Sequence, residues 1–463
     1  MSESTRNHSA AGIRCSGLVQ RNRQSGLSLI ELMVAMILGL LVSAGIVALF
    51  MATNRSSSTQ NALGRVQENG RFATGRIEAD LRMAGALFRQ SSVAERENWA
   101  AGSQGAMLPR TAIMIHASGV ILRGLGAETG RLGSWSTTEP YPVSAAYFVR
   151  GYECSSGTCS PAVPTGANGV PAVGTAAGNR VRGTDVLTMS YMRGVGWKYE
   201  LSAAGPGTPT GNNARLTIEP GSAGAGVTSN FVSGDLVLVS DCSGTPSVFR
   251  ANVAGNVLTP TGLFAGFETS FRPGAGNGTC DARLFNFSRD FVTVSYWLQL
   301  AADPNPAAAG RRISTLMRWE NGVAQEIAQG VERLDFLYGV THATNGGMAY
   351  FDAGQILANS NAANCSPPAG AFSRTYSRLG PNSAWREPAC LWRSLRSIEV
   401  HALFNTVDDM GAMAAQDMAY WYAPDNTSEP VIPSGTMPVT GLTVGRMMRR
   451  EFMTLVSIRN GSI

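Results

Sequence analysis

One acid stands alone in an apolar run. From Leu27 to Ala52 the chain has 26 residues and a single charge, Glu31. An ionised carboxylate inside a bilayer costs at least ~2.5 kcal/mol and is usually matched by a partner. No base lies within helical reach, because Arg23 precedes Glu31 by eight residues and Arg55 follows it by 24, more than two turns in either direction. The chemistry open to Glu31 is therefore a charge pair with a cation supplied by processing or by another chain, and not a catalytic step.

The other reactive residue types are sparse. Of seven cysteines, Cys15 precedes the apolar run, and Cys154, Cys159, Cys242, Cys280, Cys365 and Cys390 follow it. Six cysteines admit about 15 pairings; spacing suggests Cys154 with Cys159, Cys242 with Cys280 and Cys365 with Cys390, each closing a local loop. Such usage fits an oxidising compartment. No two of the six form a C-x-x-C pair, and His8, His116, His342 and His401 are scattered, so the reading is no metal site and no cofactor. His-Glu-x-x-His, Gly-x-Ser-x-Gly, phosphate-loop and EF-hand patterns are absent, and the chain reads as no enzyme. His401 shares a face of an expected strand with Glu399 and reads as an exposed histidine. Asp408-Asp409 and Glu95-Arg96-Glu97 read as solvated charges. Trp385, Trp392, Trp421, Tyr420 and Tyr422 read as core or loop packing in preference to a binding patch.

These residues need elements to hold them. The run from Leu27 to Ala52 is long enough to cross a bilayer as a helix and longer than the apolar core of a secretory signal, so it reads as a retained anchor. Arg6, Arg14, Arg21 and Arg23 precede it, keeping that end cytoplasmic and placing the bulk of the chain on the other side. The formal charge of +5 is thus mostly topogenic. No dense arginine cluster with interleaved aromatics supports nucleic-acid binding. Beyond the span, Leu63, Val66, Ala73, Ile77, Leu81 and Ala84 recur at the spacing of one helix face, with Arg76–Asp80 and Glu78–Arg82 as i, i+4 pairs on the exposed side. Gly64, Gly70 and Gly75 weaken this helix without stopping it. No proline occurs before Pro109, so one helix is expected from Leu27 to about Ala84.

Charged residues make up only 15% of the chain, against 53 glycines and 22 prolines, a composition of many turns and short strands. Strands are expected at Ala112–His116, Ala145–Arg150, Asp185–Tyr191, Arg215–Glu219, Asp235–Ser240, Val248–Val253, Phe291–Leu300, Ile313–Trp319, Val331–Tyr338, Arg396–Phe404 and Glu451–Arg459. In the seventh, Val292, Val294, Tyr296, Leu298 and Leu300 alternate with Thr293, Ser295, Trp297 and Gln299, which predicts one face on a core. Gly157–Gly178, Ala203–Asn213 and Thr341–Trp392 read as surface insertions. The expected fold class is α+β: a long N-terminal hydrophobic helix packed on an antiparallel β-sheet region with loop insertions.

Ser25-Gly26-Leu27-Ser28-Leu29-Ile30-Glu31-Leu32-Met33 resembles the signal of type IV prepilins and type II secretion pseudopilins. Gln67-Glu68-Asn69-Gly70-Arg71-Phe72-Ala73 with Asp80-Leu81-Arg82-Met83-Ala84-Gly85 resembles the PilW minor pilins. So do Gly183–Thr188, Gly234–Cys242, Gly330–Gly339, Arg396–Val400, Arg450–Phe452 and Ile458–Asn460. The resemblance implies a leader over 1–26 removed by a prepilin peptidase that cuts after Gly26 and methylates Leu27, a spine helix over 27–85, and a periplasmic β-rich region over 86–463. It makes Glu31 the fifth mature residue, an assembly residue that meets the N-terminal amine of a neighbouring subunit. The common Phe after the cut is Leu27 here, and Ala86-Leu87-Phe88 lacks the cysteine often found there. The implied function is a minor pilin that helps to initiate pilus assembly with other minor pilins and the major pilin, residing in the inner membrane and then near the filament tip. Two alternatives stand beside it, a tip adhesin or DNA-binding module displayed by the insertions and a pseudopilin J of type II secretion.

Overall fold

The computed structural model describes residues 28–86, 113–118, 120, 141–143, 148–155, 157–164, 169–205, 213–219, 231–240, 246–263, 283–303, 310–341, 348–360, 390–411 and 413–458. The chain divides into two compact units, Met1–Gln60 and Asn61–Ile463. Helix α1 spans Leu29–Met83 without interruption, as its freedom from proline allows. In the first unit it is exposed from Leu29 to Ser58, apolar as far as Ala52 apart from Glu31 and a few small residues, and polar from Asn54 to Gln60.

In the second unit α1 shows one buried face, Val66, Gly70, Ala73, Ile77, Asp80 and Leu81, at the three- and four-residue steps of a helix side. Gly85 closes it in the left-handed conformation at φ 68°, where a β-carbon would clash. The Gly85 N–H then donates to Ser190 O at 2.9 Å, tying the helix end to the sheet.

The strands that follow are β1 (Met114–Ile115), β2 (Tyr141–Pro142), β3 (Val149–Cys154), β4 (Cys159–Ser160), β5 (Val186–Met192), β6 (Tyr199–Ala203), β7 (Ala214–Ile218), β8 (Leu236–Ser240), β9 (Ser247–Ala254), β10 (Val257–Thr261) and β11 (Arg283–Asn286). A single helical turn α2 (Phe287–Asp290) leads into β12 (Phe291–Ala302), β13 (Arg312–Glu320), β14 (Val323–Gln329), β15 (Val331–Thr341) and β16 (Met348–Phe351), then α3 (Ala353–Asn359), β17 (Leu395–Asn405) and β18 (Arg449–Ser457). They form three sheets, one in the order β11-β8-β9-β10-β7-β6 with β1 and β2 beside β9, a second β14-β13-β12-β5-β3-β4, and a third β16-β15-β17-β18. Among the described residues the pairs are antiparallel except β1 with β9. The α+β expectation holds, and each expected strand is matched to within a few residues.

The main core joins the α1 face to the second and third sheets, through Ile77, Leu81, Leu187, Tyr296, Phe336, Val400 and their neighbours. Three expectations change here. Strand β12 is buried on both faces from Phe291 to Leu298, not on one. On the side assigned to solvent, the Thr293 hydroxyl pairs with Ser190 at 3.2 Å and Ser295 with Thr188 at 3.0 Å, while Trp297 packs with Tyr152, Val170, Val186 and Trp319. Short hydroxyls that satisfy one another across strands read as polar in the sequence yet need no water. Second, the insertion Gly157–Gly178 is not wholly on the surface, because Val170 is buried in that same cluster and Cys159–Ser160 pairs with β3. Thr341–Trp392 likewise contributes β16 and α3, whose Ala353 and Ile356 are buried. Third, His401 is only 2% exposed.

Candidate assembly site

Glu31 lies in the first turn of α1. Its backbone N–H donates to Ser28 Oγ at 3.2 Å, and its carboxylate accepts from the Ser28 N–H at 3.3 Å. This reciprocal arrangement is a capping box, in which a Ser and a Glu three residues later satisfy one another's orphan donors at a helix start. The Ser-x-x-Glu spacing carries that signal in the sequence, and the reading that matched Glu31 only to a distant cation overlooked it. The carboxylate stays exposed, so the cap leaves it accessible to a further charge. Around it Leu29, Ile30, Leu32, Met33, Met36 and Ile37 are also exposed. Gly26 and Leu27 lie outside the described residues.

The second unit grips its part of α1 through a buried charge. Asp80 is 5% exposed, although its spacing from Arg76 places it on the solvent side in a sequence reading; the Arg76 guanidinium stands 3.9 Å away. Three sheet residues converge on Asp80 instead. Arg318 Nε donates to Oδ2 at 2.6 Å and Nη2 to Oδ1 at 3.2 Å, the Tyr296 hydroxyl donates to Oδ2 at 2.6 Å, and the Tyr191 hydroxyl donates to Oδ1 at 3.2 Å. Burial disfavours charge on Arg318, but Asp80 and Glu320 outweigh it and hold the guanidinium more firmly protonated than usual. Burial and the Asp80 charge both raise the Tyr296 phenol, keeping it a donor. Such a two-pronged arginine–carboxylate pair fixes orientation as well as charge. The Glu78–Arg82 pair forms on the exposed side as expected.

Shape complements charge at Gly70. A β-carbon there would overlap the ring of Phe452 on β18, so only glycine lets helix and strand approach this closely. The same strand is anchored by Arg449, whose Nε and Nη2 donate to Glu332 at 2.6 and 3.0 Å in the interior, where Asn405 donates to the same carboxylate at 2.7 Å. Four positions back along β17 from Asn405, His401 Nδ1 lies 2.8 Å from Glu451 and Nε2 lies 3.5 Å from Glu399. Burial opposes its charge, yet the two carboxylates prevail and raise its pKa. Strand periodicity did place His401 beside Glu399, but Tyr422, Glu451 and the segment that carries Tyr422 cover that face.

Cys154 and Cys159 are joined in a disulfide across the β3–β4 hairpin. Cys242, Cys280 and Cys365 lie outside the described residues; Cys390 opens a short 3-10 turn, Cys390–Ser394, and its side chain lies outside them too. Trp392, Tyr420 and Tyr422 are buried, as expected of core aromatics, and Trp421 is exposed; Trp385 lies outside the described residues.

Residues 21–47 match the model of the prokaryotic N-terminal methylation motif, and residues 305–460 match that of the type IV pilus-assembly protein W. No curated protein and no solved structure matches the chain. The second match contains Arg318 and Phe452, two of the sheet residues that meet α1, and the Arg449–Glu332 pair that anchors the strand of Phe452; Tyr191 and Tyr296 lie outside it. With a methylation motif at the head of an apolar helix and a PilW domain towards the other end, the chain is a type IV pilus-related, pilin-like protein.

Proposed function

We propose that the chain is a type IV pilus minor pilin that helps to initiate assembly and sits near the filament tip. The observation that carries this reading is the first part of α1, whose large apolar side chains from Leu29 to Met51 are all exposed around a single acid. A helix apolar on every side needs lipid or other apolar helices around it. Lipid of the inner membrane serves before assembly, and the helices of the major pilin and other minor pilins serve in the filament. The prepilin peptidase cuts after Gly26, and the new Leu27 amine is a cation of the depth needed to neutralise Glu31 of a neighbouring subunit. The body from residue 86 onward then lies in the periplasm, where the Cys154–Cys159 disulfide persists.

The cleavage is read by intact-mass measurement of the chain purified from membranes. A mature chain beginning at methylated Leu27 is expected, with the leader retained in Gly26→Ala. Any other mature terminus contradicts the assignment.

A further inference from the structure

Among the described residues the third sheet ends on two free edges, β16 on one side and β18 on the other. An edge strand leaves a row of backbone groups unpaired and open to another chain, and proteins ordinarily blunt it with charge, proline or a bulge. The second sheet does so at β14, where Gln325 and Glu326 are exposed and the register with β13 shifts between Leu316 and Met317. Strand β18 has none of these at its centre. Its nine residues include no proline or glycine, and its register with β17 runs unbroken from Arg449 to Ser457. Between Glu451 and Ser457 the exposed side chains are Met453 and Leu455.

The hydrogen bonds decide which backbone groups face outward. The Thr406 N–H donates to Met448 O, and the Ile458 N–H donates to Arg396 O. Bonded and unbonded pairs alternate along an antiparallel ladder, so Arg450, Phe452, Thr454 and Val456 turn their N–H and C=O groups to β17. Those of Glu451, Met453, Leu455 and Ser457 point off the sheet. By the same alternation Ser397 and Glu399 bond Gly339 and Leu337 on β15, Tyr338 turns to Phe351 on β16, and the backbone of Met348 and Tyr350 points off the other edge. The side chains of Met348 and Tyr350 are exposed as well.

Both edges present these side chains on one face. Phe452 meets α1 at Gly70, so by alternation Met453 and Leu455 lie on the face away from the helix. Ser457, Ser397, Gly339 and Tyr350 stand in one row across the four strands, and the Tyr350 and Ser397 hydroxyls lie 3.2 Å apart. Tyr350 and Met348 therefore share the face of Met453 and Leu455. Direction matches too. Each neighbouring pair in this sheet is antiparallel, so β16 and β18 run in opposite directions. Copies set side by side in one orientation thus bring β18 of one against β16 of the next in antiparallel sense. Pairing β18 with itself across a two-fold axis would instead reverse one α1 against the other, which two anchors in one membrane do not permit; on this point the inference rests on the pilin reading.

We propose that the partner of β18 is β16 of a second copy of this chain, with Met453 opposite Tyr350 and Leu455 opposite Met348, so that the third sheet runs on from one subunit to the next. Such a head-to-tail contact extends in an open series unless its rotation closes a ring, which suits subunits of a filament.

The test uses two differently tagged full-length copies coexpressed in one cell, one with Met453→Cys and the other with Tyr350→Cys, oxidised in the membrane. Residues directly opposite in such a bonded pair stand about 5.5 Å apart at Cα, inside the span of about 4.4–6.8 Å that a disulfide bridges. A linked species carrying both tags is expected, severalfold more abundant than when Met453→Cys is paired with Ala349→Cys or with the unaltered chain. Adding Leu455→Lys to the first copy should remove that species without lowering the melting temperature, since Leu455 is exposed. Linkage of Met453→Cys to itself or to a different protein in its place overturns the proposal. So does the absence of the linked species in membranes where the chain begins at Leu27, a result that leaves the cleavage assignment standing.

Discussion

At Asp80 a single carboxylate accepts from Arg318, Tyr296 and Tyr191, and so links α1 to β13, β12 and β5. Breaking a buried pair by removing one member leaves the other charge uncompensated, a loss of about 3–5 kcal/mol. Asp80→Ala is therefore expected to destabilise the second unit by that amount in urea unfolding of the chain. Asp80→Leu combined with Arg318→Met should recover most of it, because a well-packed apolar pair replaces the ions without their desolvation. A different residue governs the acid limb. Burial lowers the His116 pKa to about 4, so the unfolded chain takes up a proton near 6.5 that the folded chain refuses. The stability involved is complete above pH 6.5 and is lost as pH falls from there towards 4. The loss is on the order of 2 kcal/mol once partial exposure of the ring is allowed for. His116→Gln should flatten the pH dependence of unfolding across that window.

At the scale of elements, the three glycines of the second half of α1 separate by their surroundings. Gly64 and Gly75 have open space where a side chain would stand, whereas a β-carbon on Gly70 meets the Phe452 ring. Gly75→Ala should gain about 0.5–1 kcal/mol, the ordinary helix-propensity difference. Gly70→Ala should lose about 1–3 kcal/mol despite the same propensity gain, since overpacking a close helix–strand contact displaces one of them. Urea unfolding of the two variants side by side checks the contrast. The helix, its buried stripe and most strands were legible in the sequence because period and turn residues are local signals. Strand β14 (Val323–Gln329), with most of its side chains exposed, lacks the alternation that marks a strand. The solvent assignment of Thr293, Ser295, Asp80 and His401 failed for one shared reason: each is polar, and each is satisfied by a residue distant in sequence. The Cys154–Cys159 bridge, five residues apart, was by contrast legible from spacing alone. The burial of Val170 bears on the adhesin alternative as well, because deleting Gly157–Gly178 would remove a core residue and half of that disulfide, so loss of attachment after such a deletion would not isolate a binding loop.

At the scale of the whole molecule, the first part of α1 differs in kind from the second unit, which is closed around its own core. The first part of α1 exposes apolar side chains on all sides, and the second part is held by Asp80, Gly70 and Gly85. Within this anchor Glu31 has two separable roles, the helix cap with Ser28 and the proposed pairing with another subunit's amine. Ser28→Ala removes the cap, weakening the helix start by about 1 kcal/mol, and should still assemble. Glu31→Val removes both. The measurement that bears most directly on the pilin reading is surface piliation of cells whose only copy of this chain carries Glu31→Val, with membrane abundance of the chain measured in parallel. Normal abundance and loss of pili are expected, with Ser28→Ala piliated; normal piliation by Glu31→Val would contradict the pilin reading.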